Sequence, residues 1–198
     1  LQDSLFDIKY RQQEVYSNVA LTYFEEGEND KALTYYDSCL YVINLMKDKF
    51  ITENYNEDPP VKKVSLQNAE GVLLGNKGRV FERLGDFDMA EKFYIKSIEL
   101  NNNRQNDLRD AALIKSYLSR IYIIKRKFNE AEALLNLSYK TLDSLKFAKD
   151  AISVLRLQAD LSSEMGNDKG AVEILTKYIF QKDSLDRLVA GNNFISRY

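Results

Sequence analysis

The sequence predicts an all-α fold, a solenoid of stacked helix–turn–helix pairs. Three observations predict it. An Ala followed by mostly larger residues at i+3, i+4, i+7 and i+8 recurs four times. A small residue stands twelve positions before each of those Ala residues. Only 8 Gly and 2 Pro occur in 198 residues, too few for the many tight turns of a sandwich or barrel.

The first pair, about residues 10–50, has Ala20 and Tyr23 in helix A and Gly27 at the turn. Its helix B carries Ala32, Tyr35, Tyr36, Cys39 and Leu40. The second, about 63–102, repeats this as Gly78, Phe81, Gly85, then Ala90, Phe93, Tyr94, Ser97 and Ile98. The third, about 107–143, has Ser119 and Tyr122, then Ala131, Leu134, Leu135, Ser138 and Tyr139. Here Arg126 stands where Gly is expected, which predicts a strained turn. The fourth, about 147–183, has Ala159, Ser162 and Gly166, then Ala171, Ile174, Leu175, Tyr178 and Ile179. Residues 184–198 are read as a capping or linker helix, and the whole of 1–198 as one domain.

Positions spaced 3, 4, 7 and 8 lie on one stripe of an α-helix. The turn Gly supplies the left-handed conformation that ends a helix. Asp30, Asp88 and Asn129 are expected as N-caps of the B helices. Small residues facing each other let the two helices of a pair approach at the short end of the usual ~8–10 Å. The aromatic positions are expected to fill the gap to the next pair, since one pair cannot bury both faces alone. The Ala residues at 32, 90, 131 and 171 are spaced by 58, 41 and 40 residues. The longer first spacing implies an inserted loop over 52–62. That stretch holds Pro59, Pro60 and the polar run Glu53 to Asp58.

Composition narrows the function classes. Lys and Arg number 28 against 30 Asp and Glu, so no basic excess points to nucleic acid. No His is present, which removes the commonest general base and metal ligand. A single Cys, Cys39, excludes an internal disulfide and a multi-Cys metal site. Neither a metal nor a cofactor is expected, and no spaced nucleophile motif supports catalysis. The longest apolar run, Ile121 to Ile124, is far below the ~20 residues of a membrane span. The chain starts at Leu1 without a basic and apolar leader pattern, as expected of a processed chain or a piece of a longer one. The Gly71–Gly78 stretch fails the spacing of a phosphate loop and reads as helix A of the second pair. The Glu53/Glu57/Asp58 cluster lacks the ligand alternation of a calcium loop. Asn101 to Asp107 reads as an inter-repeat turn with N-cap potential.

These residues resemble the tetratricopeptide repeat, a helix–turn–helix unit with small residues near the middle of both helices and Gly at the turn. The best match is Asn76, Lys77, Gly78, Phe81, Gly85, Ala90 and Tyr94. Next is Asn18, Val19, Ala20, Tyr23, Gly27, Ala32 and Tyr36. The family's early Trp is replaced by Tyr16, Leu74, Lys115 and Leu155. Its closing Pro is replaced by Asn44, Asn102, Asp143 and Asp183, which allows longer B helices. The resemblance implies a right-handed solenoid whose A helices form a concave surface for extended peptides. Carried over by position, that groove holds Asn18, Leu21, Phe24, Asn76, Arg79, Arg83, Ser116, Arg120, Ile123, Arg156, Asp160 and Ser163. An Asn amide there both donates to and accepts from a peptide main chain. Arg79, Arg83, Arg120 and Arg156 form either a basic ladder for an acidic segment or a solvated face paired with Glu82, Glu164 or Asp160.

Elongated repeats with Lys182-Asp183-Ser184-Leu185 after the last pair resemble the extracytoplasmic sensor region of bacterial membrane-anchored regulators. In those, the inner half is a histidine kinase or a helix-turn-helix DNA-binding domain. The resemblance implies a non-enzymatic binding module with a protein or peptide partner, no direct nucleic-acid contact and a periplasmic or extracytoplasmic setting. The alternatives are a cytoplasmic adaptor and a self-associating structural module.

Overall fold

A computed structural model of the protein describes residues 2–52, 60–101 and 107–195. Among the described residues there are eight α-helices and no strand. They are α1 (Gln2–Glu25), α2 (Asn29–Thr52), α3 (Pro60–Arg83), α4 (Phe87–Asn101), α5 (Leu108–Ile124), α6 (Phe128–Ser144), α7 (Ala148–Glu164) and α8 (Asp168–Ile195). The odd-numbered helices are the A helices and the even-numbered ones the B helices. None of them is long and apolar enough to cross a membrane.

The chain groups into two compact units, residues 1–111 and 112–198. In the first, α1 packs on α2, α2 on α3 and α3 on α4. In the second, α6 packs on α7 and α7 on α8, while Ala112 of α5 shares a buried cluster with Ala131 and Leu135 of α6. Packing neighbour on neighbour is the solenoid pattern, because each pair buries its second face on the next.

The small-residue rule holds in all four pairs. Ala20, Ala32, Ala90, Ser119 and Ala131 are fully buried, Ala159 nearly so, and Ala171 is 6% exposed. Gly78 shows why size matters. A Cβ there would sit 2.5 Å from the Tyr94 ring, well inside van der Waals contact. Tyr36 shares a core with Leu73 and Val80 of the next pair, as expected, but the aromatics three residues after the small contact depart from expectation. Tyr23 stacks on Tyr35 at 5.4 Å, and Phe81 on Phe93 at 5.3 Å. Each pair of rings therefore closes its own helical pair instead of bridging to the next, because positions A+3 and B+3 flank the small contact on the same side.

Five turns share one hydrogen-bond pattern. At the first, the Gly27 N–H donates to the Phe24 carbonyl at 3.0 Å and the Glu28 N–H to Tyr23 at 2.9 Å. These two bonds together make the Schellman closure of a helix. The pattern recurs at Gly85, Arg126, Lys146 and Gly166, and all five residues have positive φ. Arg126, at φ 56°, carries the strain the sequence predicts. Lys146, at φ 65°, does the same between the third and fourth pairs, where no Gly marks the turn.

The next helix starts directly after each left-handed residue. The N-caps are accordingly Asp86 and Asn167, whose side chains accept from the Met89 and Gly170 N–H groups at 3.0 Å, and Lys127. Asp30, Asp88 and Asn129, expected as caps, fall inside the first turns instead. There Asp30 and Asp88 still favour the positive end of the helix dipole. Asp107 caps α5, accepting from the Arg109 N–H at 2.9 Å.

Three boundaries differ from the sequence reading. The long first spacing is taken up mainly by helix, since α2 runs to Thr52 and α3 starts at Pro60. Pro is suited to that first helical position, where its missing N–H costs nothing. The Glu53–Asp58 run and Asn102–Asn106 lie outside the described residues. Segment 184–195 is not a separate helix: it continues α8, and Lys182 to Leu185 lie inside that helix. Neither Gly nor Pro stands at Lys182 to Leu185 to stop the helix there.

Candidate ligand groove

In the first unit the predicted positions lie on α1 and α3. Asn18 is exposed and Asn76 half-buried, in the same register of their two helices. Leu21 is half-buried against the core formed by Ala20, Tyr36 and Val80. Phe24 is only 4% exposed, so its side chain belongs to that core and not to an open surface. The neighbouring α3 covers it. The Arg83 guanidinium lies 3.5 Å from the Phe24 ring centroid and that of Arg79 lies 4.6 Å away. Arg83 Nη1 also donates to the Phe24 carbonyl, and Arg79 pairs with Glu25 at 3.5 Å.

Arg79 and Arg83 are thus tied to the C-terminal end of α1. Two attractions hold them, the negative face of the ring and the partial negative charge of the last-turn carbonyls. Glu82 accepts from the Tyr94 hydroxyl at 2.5 Å. Glu25, which the sequence reading passed over, joins the cluster. The signal for it was its place in the last turn of helix A, with two arginines spaced four apart in the last turns of the next A helix.

In the second unit Ser116, Arg120 and Ile123 follow one face of α5, and Arg156, Asp160 and Ser163 one face of α7. Ser116 is 4% exposed and its hydroxyl donates to the Leu113 carbonyl at 2.7 Å, so it too is withdrawn from the surface. Burial follows from a short side chain that its own helix can satisfy. Ile123 packs against the core that holds Ala131 and Leu135. Arg120 lies over the Tyr117 ring at 4.7 Å. Arg156 and Asp160 form an exposed pair at 3.1 Å, one helical turn apart. Such a pair is worth about 0.3–0.5 kcal/mol. Ser163 is exposed. Of the basic ladder, then, three arginines have an aromatic ring beneath them or an acid beside them within their own unit, and Arg156 has its acid.

The groups with shifted titration are structural. Burial pushes the Cys39 thiol up to about 12. The Tyr36 hydroxyl is likewise pushed up to about 12, by burial first, with Arg79 pulling it down and Glu25 raising it. Burial holds the Lys115 ammonium below its usual range, at the position where the other repeats carry Tyr16, Leu74 and Leu155. A buried thiol at about 12 has almost no thiolate at neutral pH. Among the described residues no three His, Cys, Asp or Glu side chains gather to hold a metal ion. What the A-helix faces offer is amide, guanidinium and carboxylate groups for hydrogen bonding.

A recurring buried contact joins the two helices of a pair. The Ser97 hydroxyl donates to the Gly71 carbonyl and Ser138 to Ala112, both at 2.7 Å. Cys39 makes the same contact with Gln13 at 3.3 Å. All three donors sit seven residues after the helix-B Ala and are fully buried. The fourth pair has Tyr178 there.

Comparison with known proteins gives the same fold. The tetratricopeptide repeat family matches residues 13–44 and 73–104. No curated protein matches the chain in sequence. Among solved structures, BtubC (BKLC) from P. vanneervenii superposes with a TM-score of 0.65 at 20% identity, over 89% of this chain and 64% of that one. This chain therefore spans less than two thirds of BtubC. Nearly identical TPR-like repeats of a putative kinesin light chain from Podosopora anserina give a TM-score of 0.60 at 13% identity, over 88% of this chain and 77% of that one. A point-substituted form of the same repeats gives 0.61 at 13% identity, over 88% and 76%. At such identities the likeness is one of fold. Residues 13–44 and 73–104 match the tetratricopeptide repeat, and the described residues have the all-α, TPR-like solenoid fold.

Proposed function

We propose that this chain is a non-enzymatic scaffold that binds an extended segment of a protein partner along the faces of its A helices. The observation that carries this reading is the register of Asn18 and Asn76. Both reach the surface one repeat apart, and Arg79 and Arg83 are held beside the second by Phe24 and Glu25. Amides suit a peptide main chain, and anchored guanidinium groups suit its acidic side chains. Phe24 and Ser116 act from beneath, as packing. Arg156, Asp160 and Ser163 offer a mixed polar face on α7. Binding of protein partners is general among tetratricopeptide repeat proteins.

A display library of random peptides, selected on the whole chain, tests the reading. An enriched acidic peptide should bind at least tenfold more weakly to the Asn18→Ala/Asn76→Ala double variant, a loss of about 1.4 kcal/mol. Undiminished binding would overturn it.

The finer role is the sensing region of a bacterial signalling protein, a histidine kinase or a helix-turn-helix regulator, on the extracytoplasmic side of the membrane. Support comes from α8, at 28 residues far longer than the 17-residue α7 it packs on, and so able to carry a change in tilt onward. Hydrogen exchange over residues 180–195 should slow when the selected peptide binds. Exchange indifferent to the peptide would sink the sensor role, and would favour the rival reading of a cytoplasmic adaptor.

A further inference from the structure

We propose that an acidic side chain of the partner enters the groove of the first unit beneath Arg79 and Arg83, turns the Phe24 ring out and accepts a hydrogen bond from the buried Tyr36 hydroxyl. The proposal rests on the groove reading above and deepens it, since it gives one buried group its ligand chemistry and makes Phe24 a gate.

Phe24 and Tyr36 stand in the first pair where Glu82 and Tyr94 stand in the second. Both tyrosines are fully buried. The Tyr94 hydroxyl donates to the Glu82 carboxylate at 2.5 Å. The Tyr36 hydroxyl is buried without a partner. A buried donor left so is costly, and an acceptor that arrives with a ligand removes the cost. In the other two repeats Leu135 and Leu175 stand in the tyrosine's place and bring no hydroxyl. The subsite therefore belongs to the first pair.

The surroundings suit a carboxylate. Arg79 lies close enough to the Tyr36 hydroxyl to favour its ionised form, and Glu25 close enough to oppose it. Both guanidinium groups lie against the ring that stands in register with the Glu82 side chain, Arg83 at 3.5 Å and Arg79 at 4.6 Å from its centroid. A carboxylate in place of that ring exchanges two cation–π contacts for charge-assisted hydrogen bonds, the stronger kind, and adds the bond from the tyrosine. A planar guanidinium fork matches a carboxylate better than an ammonium does.

Phe24 is placed to move. It is the last residue but one of α1, so no further turn of its own helix follows it. Arg83 is held by both the ring and the carbonyl of Phe24, and only the first hold is given up when the ring turns out. The guanidinium therefore stays at the subsite. The chain's own acid, Glu25, reaches Arg79 at 3.5 Å from an exposed position, and it competes there with the incoming one.

Two capped, dye-labelled peptides test this, one of alternating Ser and Glu and one of alternating Ser and Gln, titrated against the whole chain by fluorescence anisotropy. The Glu peptide should bind more tightly. Tyr36→Phe removes only an unpartnered hydroxyl. It should weaken the Glu peptide about tenfold, the worth of one hydrogen bond to a charged group, and leave the Gln peptide unchanged. Glu25→Gln should tighten the Glu peptide. The NMR resonance of the hydroxyl-bearing carbon of Tyr36, assigned by its loss in Tyr36→Phe, should move with the Glu peptide and stay in place with the Gln peptide. Equal affinity of the wild type and Tyr36→Phe for the Glu peptide overturns the proposal. So does a wild-type chain that does not distinguish the two peptides. A Gln peptide with a free C-terminus that matches the Glu peptide overturns it as well, since the group taken up is then a chain end. The groove reading fails separately, through undiminished peptide binding to the Asn18→Ala/Asn76→Ala double variant.

Discussion

The Tyr94 hydroxyl donates to the Glu82 carboxylate at 2.5 Å, across the α3–α4 pair. Tyr36 occupies the same place in the α1–α2 pair, but the residue in register with Glu82 there is Phe24. Its buried hydroxyl has no acceptor. The same residue at the same position is therefore satisfied in one repeat and costly in the other. Tyr94→Phe should lower stability by about 1.5–3 kcal/mol, the range for a bond to a charged partner. Tyr36→Phe should be neutral or stabilising. Urea unfolding of both variants checks the contrast, and equal losses would contradict it.

Cys39 makes the contact that Ser97 and Ser138 make in their own repeats. Cys39→Ser should keep it, with a change within about 1 kcal/mol. Cys39→Ala should lose both the bond and buried volume and cost more. The thiol goes from 9.0 to about 12 on folding. A raised acid pKa means that its stabilising contribution is complete below pH 9 and is lost as pH rises from 9 towards 12. Cys39→Ser should flatten part of that alkaline decline. Iodoacetamide should leave the folded thiol unmodified at about pH 8.

Arg126 and Lys146 hold positive φ without being glycine, in turns otherwise the same as those at Gly27, Gly85 and Gly166. Arg126→Gly and Lys146→Gly should each raise stability by about 1 kcal/mol, the relief of left-handed strain less the added freedom of the unfolded chain. Thermal unfolding reads the change, and a lower Tm in both would refute the strain argument. Arg126 also lies over the Phe128 ring at 5.1 Å, so its gain should be the smaller of the two.

Ala90 is fully buried where α3 and α4 approach, beside the Gly78–Tyr94 contact. Ala90→Leu should overpack that contact and cost roughly 1–3 kcal/mol. An unchanged Tm would mean that the pair can open without loss.

Arg83 touches both the ring and the carbonyl of Phe24. Arg83→Ala should cost about 1–2 kcal/mol through the lost stacking and the lost helix-end contact, read by urea unfolding. Arg83→Lys should recover only part, because an ammonium cannot lie flat on the ring while donating sideways. Full recovery by Lys would assign the effect to charge alone.

Much of the fold is legible in the sequence because it is written in local spacing. The Ala stripes, the small residue twelve places earlier and the turn glycines are each fixed by the geometry of one helix and its end. They place the four pairs, and even mark Arg126 as the strained turn. The site was less legible. Counting along helix A selected Phe24 and Ser116 as groove residues, yet both are buried. Spacing gives a residue's direction from its own helix, whereas exposure depends on what the next helix places above it.

The amino-acid order alone thus determined the repeat, its pairing of small with small residues and the all-α class, since these rest on helical periodicity and on the backbone freedom of glycine. Only the tertiary structure decided that Arg79 and Arg83 clasp the end of α1, and that Tyr36 goes unsatisfied while Tyr94 does not. Those outcomes depend on contacts between helices far apart in the chain, whose energies no single helix contains.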